Sequence, residues 1–118
     1  MATPLRVEKV SILLRELAAS LIARELEFAE GTLVTVTRAA VSEDLRYATI
    51  FVSVLGGGAT ADQEAIAVLT RHTPEIQRAL NRKLSMRPVP KIRFAIDKGE
   101  QHRERIEKLL SEDHHSHY

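Results

Sequence analysis

A chain of 118 residues, 44% hydrophobic and 28% charged, is sized and composed for one globular domain that buries about two-thirds of the surface its unfolded form exposes. Aromatics make up 4% and cysteine is absent, so the core is aliphatic and disulfides, thiolate metal sites and thiol catalysis are excluded. The net charge of +1 hides a segregation: seven basic residues against one acid between Arg71 and Arg93 give +6, and ten basic against fifteen acidic elsewhere give −5. Such a patch suits an anionic partner, nucleic acid first.

Thr3 before Pro4 predicts an N-cap, and Val10, Leu13, Leu14, Leu17, Ala18 and Leu21 follow at helical spacing, for a helix to about Glu27. Gly31 interrupts, and Val34 and Val36 then alternate with Thr35 and Thr37 as a first strand. Turn residues Ser42-Glu43-Asp44-Leu45 lead into a second strand, in which Ala48, Ile50, Val52 and Val54 alternate with Tyr47, Thr49, Phe51 and Ser53. The two strands form a hairpin.

After Gly56-Gly57-Gly58, Thr60 and Gln63 predict a capping box for a second helix with Ile66 and Leu69 buried. Pro74 predicts a stop or a kink near His72 and Thr73, with Thr73 capping a third helix that Pro74 opens. Ile76, Ala79, Leu80 and Leu84 share its buried face, Arg78, Asn81 and Arg82 lie opposite, and Lys83 falls beside the apolar stripe, where it has to snorkel. Pro88-Val89-Pro90 launches a third strand, with Ile92, Phe94 and Ile96 alternating with Lys91, Arg93 and Ala95. An amphipathic segment with Ile106, Leu109 and Leu110 follows, and 111–118 reads as a disordered, His-rich tail after a single domain over 1–110. The fold class is α+β, a two-layer sandwich with all helices on one face of a three-stranded sheet.

Few motifs carry chemistry. Gly56-x-Gly58-x-x-Ala61 opens a helix after a strand, but no acidic residue closes a second strand about 20 residues on, so it reads as a connection and no nucleotide cofactor is expected. Asp113, His114, His115 and His117 lie on the polar tail without a second shell, and no metal is expected. Glu43 and Asp44 read as turn formers, and no residue set nominates a catalyst. The basic segment is stronger: a helix restart at Pro74 frees N–H groups beside Arg78, Arg82 and Arg87, and Lys91 and Arg93 extend the charge along the third strand. Tyr47 and Phe51, on the outer sheet face beside Thr35 and Thr37, read either as a stacking surface for bases or as ordinary sheet residues under a loop or the C-terminal segment. No run approaches the ~20 apolar residues of a membrane span, and Met1 to Val10 has no signal-peptide core, which places the chain in the cytoplasm.

The order of elements resembles the type II KH fold of RNA-binding modules, and more closely the ribosome-binding factor A family. "RVEKVSILLRELAASLI" is similar to that family's opening helix, "VTVTRAAVSEDLRYATIFVSVL" to its hairpin and "VPKIRFAIDKG" to its closing strand, over about Leu5 to Leu110. The resemblance implies a kink between helices at His72-Thr73-Pro74, where the family carries Ala-x-Gly, and Gln77 stands where relatives often have arginine, with Arg78 beside it. The kink taken with the basic segment gives an expected RNA-binding set of His72, Thr73, Pro74, Arg78, Arg82, Lys83, Arg87, Lys91 and Arg93. The resemblance further implies a monomeric, non-enzymatic assembly factor that binds the immature 30S subunit and promotes folding and processing of 16S rRNA or its precursor. Competing readings are a general KH-like module for single-stranded RNA, a module for an acidic protein partner, and a small enzyme using the glycine triplet.

Overall fold

The computed structural model describes residues 2–99. Five elements follow in order: α1 (Pro4–Glu25), β1 (Thr32–Val41), β2 (Tyr47–Gly56), α2 (Ala61–Lys83) and β3 (Lys91–Ile96). The strands lie in the order β1-β2-β3, with β1 and β2 antiparallel and β3 parallel to β2 after the crossover through α2. Both helices cover one face, so the α+β sandwich is as the periodicities predict. The amphipathic segment at Ile106, Leu109 and Leu110 and the tail 111–118 lie outside the described residues.

α1 starts as predicted: Thr3 is extended, its hydroxyl oxygen accepts the Arg6 N–H at 3.2 Å, and Pro4 sits where no N–H is needed. It ends at Glu25, two residues early, because Leu26 turns extended to bury its side chain. Val10, Leu14, Ala18, Leu21 and Ile22 form its buried stripe, whereas Leu13 faces solvent. On the sheet, Ala48, Ile50, Val52, Val54, Ile92 and Phe94 point at the helices. The two helices and this face enclose the main core, and Val54 packs with Ala61 and Ala65 in a smaller cluster beside it.

Two predicted helix boundaries are corrected. Thr60 makes no capping box with Gln63; its hydroxyl instead donates to Glu64 Oε1 at 2.8 Å. α2 is also a single helix that runs through Pro74 without a break or a third helix. An interior proline costs about 3 kcal/mol, but Leu69 before it and Ile76 and Leu80 after it are buried, and each such side chain contributes about 1.5–3 kcal/mol. Packing therefore holds both halves in one continuous helix. Thr70, whose carbonyl loses its donor, is exposed like Pro74, so water can reach it. Thr73 does not cap a restart: its hydroxyl donates back to the Leu69 carbonyl at 2.8 Å.

β3 is placed by one side chain from α2. Gln77 Nε2 donates to the Pro90 carbonyl at 3.0 Å while its Oε1 accepts the Ile92 N–H at 2.9 Å, joining helix to strand across both sides of Lys91. Arg87 closes the other end of α2, donating from Nη1 to the Leu84 and Met86 carbonyls and from Nη2 to that of Asn81. A cation there also meets the negative end of the helix dipole.

Candidate nucleic-acid interface

The basic residues do not form one face. Arg71, Arg78 and Arg82 recur at helical spacing on the exposed side of α2, with Pro74 between them. Lys83 is exposed because the helix ends at it. With Arg24 and Arg82 it rims a groove of about 480 Å³ between the end of α1 and α2, whose other walls include Glu25 and Glu75. Lys91 and Arg93 alternate with buried Ile92 and Phe94, so they project from the sheet face away from the helices. A cleft of about 390 Å³ crosses the β3 edge between these regions, lined by Gln77, Asn81, Arg87, Pro88, Val89 and Lys91.

The remaining predicted residues play more structural parts. In an unbroken helix the N–H groups after Pro74 serve carbonyls four residues back, so the free N–H cluster expected there is absent from the described structure. His72 Nδ1 lies 2.9 Å from the Val68 carbonyl, which fixes the proton on Nδ1 and leaves Nε2 as the outward nitrogen. Thr73 spends its hydroxyl hydrogen on Leu69. Arg87 spends three contacts on backbone carbonyls. Every cation of the set is exposed: Arg78, Arg82, Lys83 and Lys91 project from the surface, Arg87 is tied to its three carbonyls, and Arg93 has its Nε held by Thr49 Oγ1 at 2.9 Å.

The outer sheet face holds what the sequence reading missed. A β-bulge between Val36 and Arg38 adds one residue to β1, so Arg38 and not Thr37 stands opposite Phe51. The Arg38 guanidinium lies 3.7 Å from the centroid of the Phe51 ring. Its Nε is 3.4 Å from Asp97 Oδ2, which also accepts the Thr37 hydroxyl at 2.6 Å. Phe51 is thus covered, and Tyr47 faces Lys91 across the parallel ladder instead of Thr35 or Thr37. A three-residue preview of the bulge, Thr37-Arg38-Ala39, carries no local signature that sets it apart from continuous strand.

Among the described residues no helix is long and apolar enough to cross a membrane, and no group of three or more His, Cys, Asp or Glu side chains could hold a metal ion. The glycine triplet has φ between +78° and +94° at all three positions, which explains glycine by backbone conformation without a bound phosphate.

An αββαβ order, both helices on one face and a basic exposed stripe on the second helix define a KH-like module of the type II class. The model of the family described as ribosome-binding factor A matches residues 6–110, and the chain belongs to that family of ribosome-binding factors. Ribosome-binding factor A of Natranaerobius thermophilus is 33% identical over 108 residues, spanning 92% of this chain and 82% of the relative. The solution structure of a Thermotoga maritima relative superimposes with a TM-score of 0.66 at 28% identity, covering 84% of this chain and 93% of that one. The Thermus thermophilus factor, as fitted into a cryo-EM map of its complex with the 30S subunit, shares the fold with a TM-score of 0.62 at 24% identity, over 75% and 91% of the two chains.

Proposed function

We propose that this protein binds the immature small ribosomal subunit in the cytoplasm as a monomer, and promotes folding and processing of 16S rRNA or its precursor without cutting it. The observation that carries the reading is the exposed stripe of Arg71, Arg78 and Arg82 on α2 in a member of this family. Planar guanidinium groups on a rigid helix suit bidentate contact with phosphates. Such contacts position the protein, and the shape of the RNA supplies specificity. Binding one RNA conformer better than its alternatives shifts the population towards it, which is all that a folding factor without chemistry has to do.

The proposed contact set is Arg78, Arg82, Lys83, Lys91 and Arg93, with Arg71 extending the stripe along α2. His72, Thr73, Pro74 and Arg87 serve it by shaping α2 and its end. Cosedimentation with immature small subunits over a salt series tests this, using the wild type and an Arg78→Glu/Arg82→Glu variant of unchanged circular dichroism. The wild type should bind with a steep salt slope, and the variant should lose about one unit of slope per phosphate contact removed. Equal binding by both proteins rejects the stripe as the RNA surface. Tight binding to short oligonucleotides with no preference for subunits favours the general single-strand module.

A further inference from the structure

We propose that the outer face of the sheet holds a second RNA contact, a stacking site for one unpaired base on Tyr47 with flanking phosphates on Lys91 and Arg93. The inference rests on the RNA-binding function proposed above and adds to it a place and a ligand chemistry. β2 carries two aromatic rings on this face. Phe51 is occupied by the Arg38 guanidinium. Tyr47 is 62% exposed, and among the described residues no ring or cation lies on it.

The surroundings of Tyr47 fit a nucleotide. Lys91 is its partner in the parallel ladder, and Arg93 stands two residues further on the same face. Thr49 holds Arg93 by Nε, which fixes the guanidinium plane and leaves both Nη groups to donate. An open cleft of about 430 Å³ lies among these residues, with small Ala40 and Thr49 in its lining and no carboxylate. An apolar ring flanked by cations is the combination by which single-strand binders hold a base and track its backbone. A peptide partner of acidic character would use the cations but would leave the ring without a stacking partner.

The cleft is also connected to the α2 surface. Lys91 lines both the cleft at Tyr47 and the one at Asn81 and Arg87 that crosses the β3 edge. A strand of RNA leaving the arginine stripe of α2 therefore has a cationic route around the edge of the sheet to Tyr47. This accounts for basic residues on opposite faces of a small domain.

Two measurements decide it. The chain has no tryptophan and two tyrosines, Tyr47 and Tyr118, so in a Tyr118→Phe background Tyr47 is the sole source of tyrosine fluorescence. Stacking predicts that a short single-stranded RNA quenches it saturably and that Lys91→Ala weakens the titration. In parallel, Tyr47→Ala should weaken binding to immature small subunits by about 5- to 150-fold, the range for loss of one stacked base, and Tyr47→Phe should restore it. Absence of quenching, unchanged affinity in Tyr47→Ala, a Tyr47→Phe variant as weak as Tyr47→Ala, or an ultraviolet crosslink from Tyr47 to ribosomal protein in place of RNA each overturns the proposal. Should the wild type fail to bind subunits, the functional reading falls, and the oligonucleotide titration still decides whether Tyr47 stacks.

Discussion

Tyr47 and Phe51 stand on the same strand and the same sheet face, four residues apart, and end in opposite states. Phe51 lies under Arg38, which Asp97 holds from across the sheet; Tyr47 is open beside two cations. Strand alternation decides the face but not the fate of a side chain on it. The difference comes from the bulge on β1, which moves Arg38 into the place over Phe51, and from Asp97 just after β3, which reaches back over β2 to Thr37 and Arg38. One end of the face is locked by contacts among three strands, and the other is left to a ligand.

The locked end should break at Asp97. This buried carboxylate accepts the Thr37 hydroxyl and pairs with Arg38, and its own N–H donates to the Val52 carbonyl at 2.8 Å. Hydrogen bonds to a charged group contribute about 1.5–3 kcal/mol, so Asp97→Ala should lower unfolding stability by about 2–3 kcal/mol, read as a fall in the urea midpoint at constant m-value. A loss below about 0.5 kcal/mol would mean that Asp97 does not lock this end of the face and that Phe51 keeps its cover from Arg38 without it.

Arg38→Ala should cost less. The guanidinium is half exposed, so its ion pair is screened, and the ring contact is worth about 0.5–1 kcal/mol at such a site. The expected loss is about 1 kcal/mol in total. A double-mutant cycle with Asp97→Asn should return a coupling of about 0.5–1 kcal/mol; zero coupling would separate the ion pair from the ring contact and leave Phe51 covered by Arg38 alone.

How much of this was legible in the sequence follows the range of the contacts involved. Period-two alternation found every strand and the face that each buries, because it depends only on neighbours along the chain. The N-cap at Thr3 was legible for the same reason. Pro74 misled: its local cost favours a break, but Leu69, Ile76 and Leu80 anchor both sides of it in a core that only the folded chain assembles. The site was half legible. The cation-rich segment and the exposed side of α2 follow from composition and helical spacing, whereas the reach of Arg87 to the Asn81 carbonyl, the Gln77 clamp on β3 and the Asp97 latch join residues six to sixty positions apart. No local pattern announces those.

The open end has its own, weaker constraint in the turn that precedes Tyr47. The Ser42 hydroxyl donates to Asp44 Oδ1 at 2.7 Å and its oxygen accepts the Tyr47 N–H at 3.0 Å, while Asp44 Oδ1 also accepts the Arg46 N–H at 3.1 Å. The Ser42 hydrogen bond first, and then the Arg46 N–H, hold the Asp44 carboxyl below its ordinary pKa. A carboxylate favoured in the folded state adds stability that is present above its unfolded value of about 3.9 and is lost as pH falls through the lower folded value. The wild type should therefore lose thermal stability below about pH 4 more steeply than Asp44→Asn, by a small margin because the group is exposed. In the Tyr118→Phe background, Tyr47 fluorescence should change over the same window in the wild type and not in Asp44→Asn, because Ser42 links the carboxylate to the strand start. Parallel pH profiles would show that β2 is held there by its ladder alone, and that the geometry of the stacking site owes nothing to the turn.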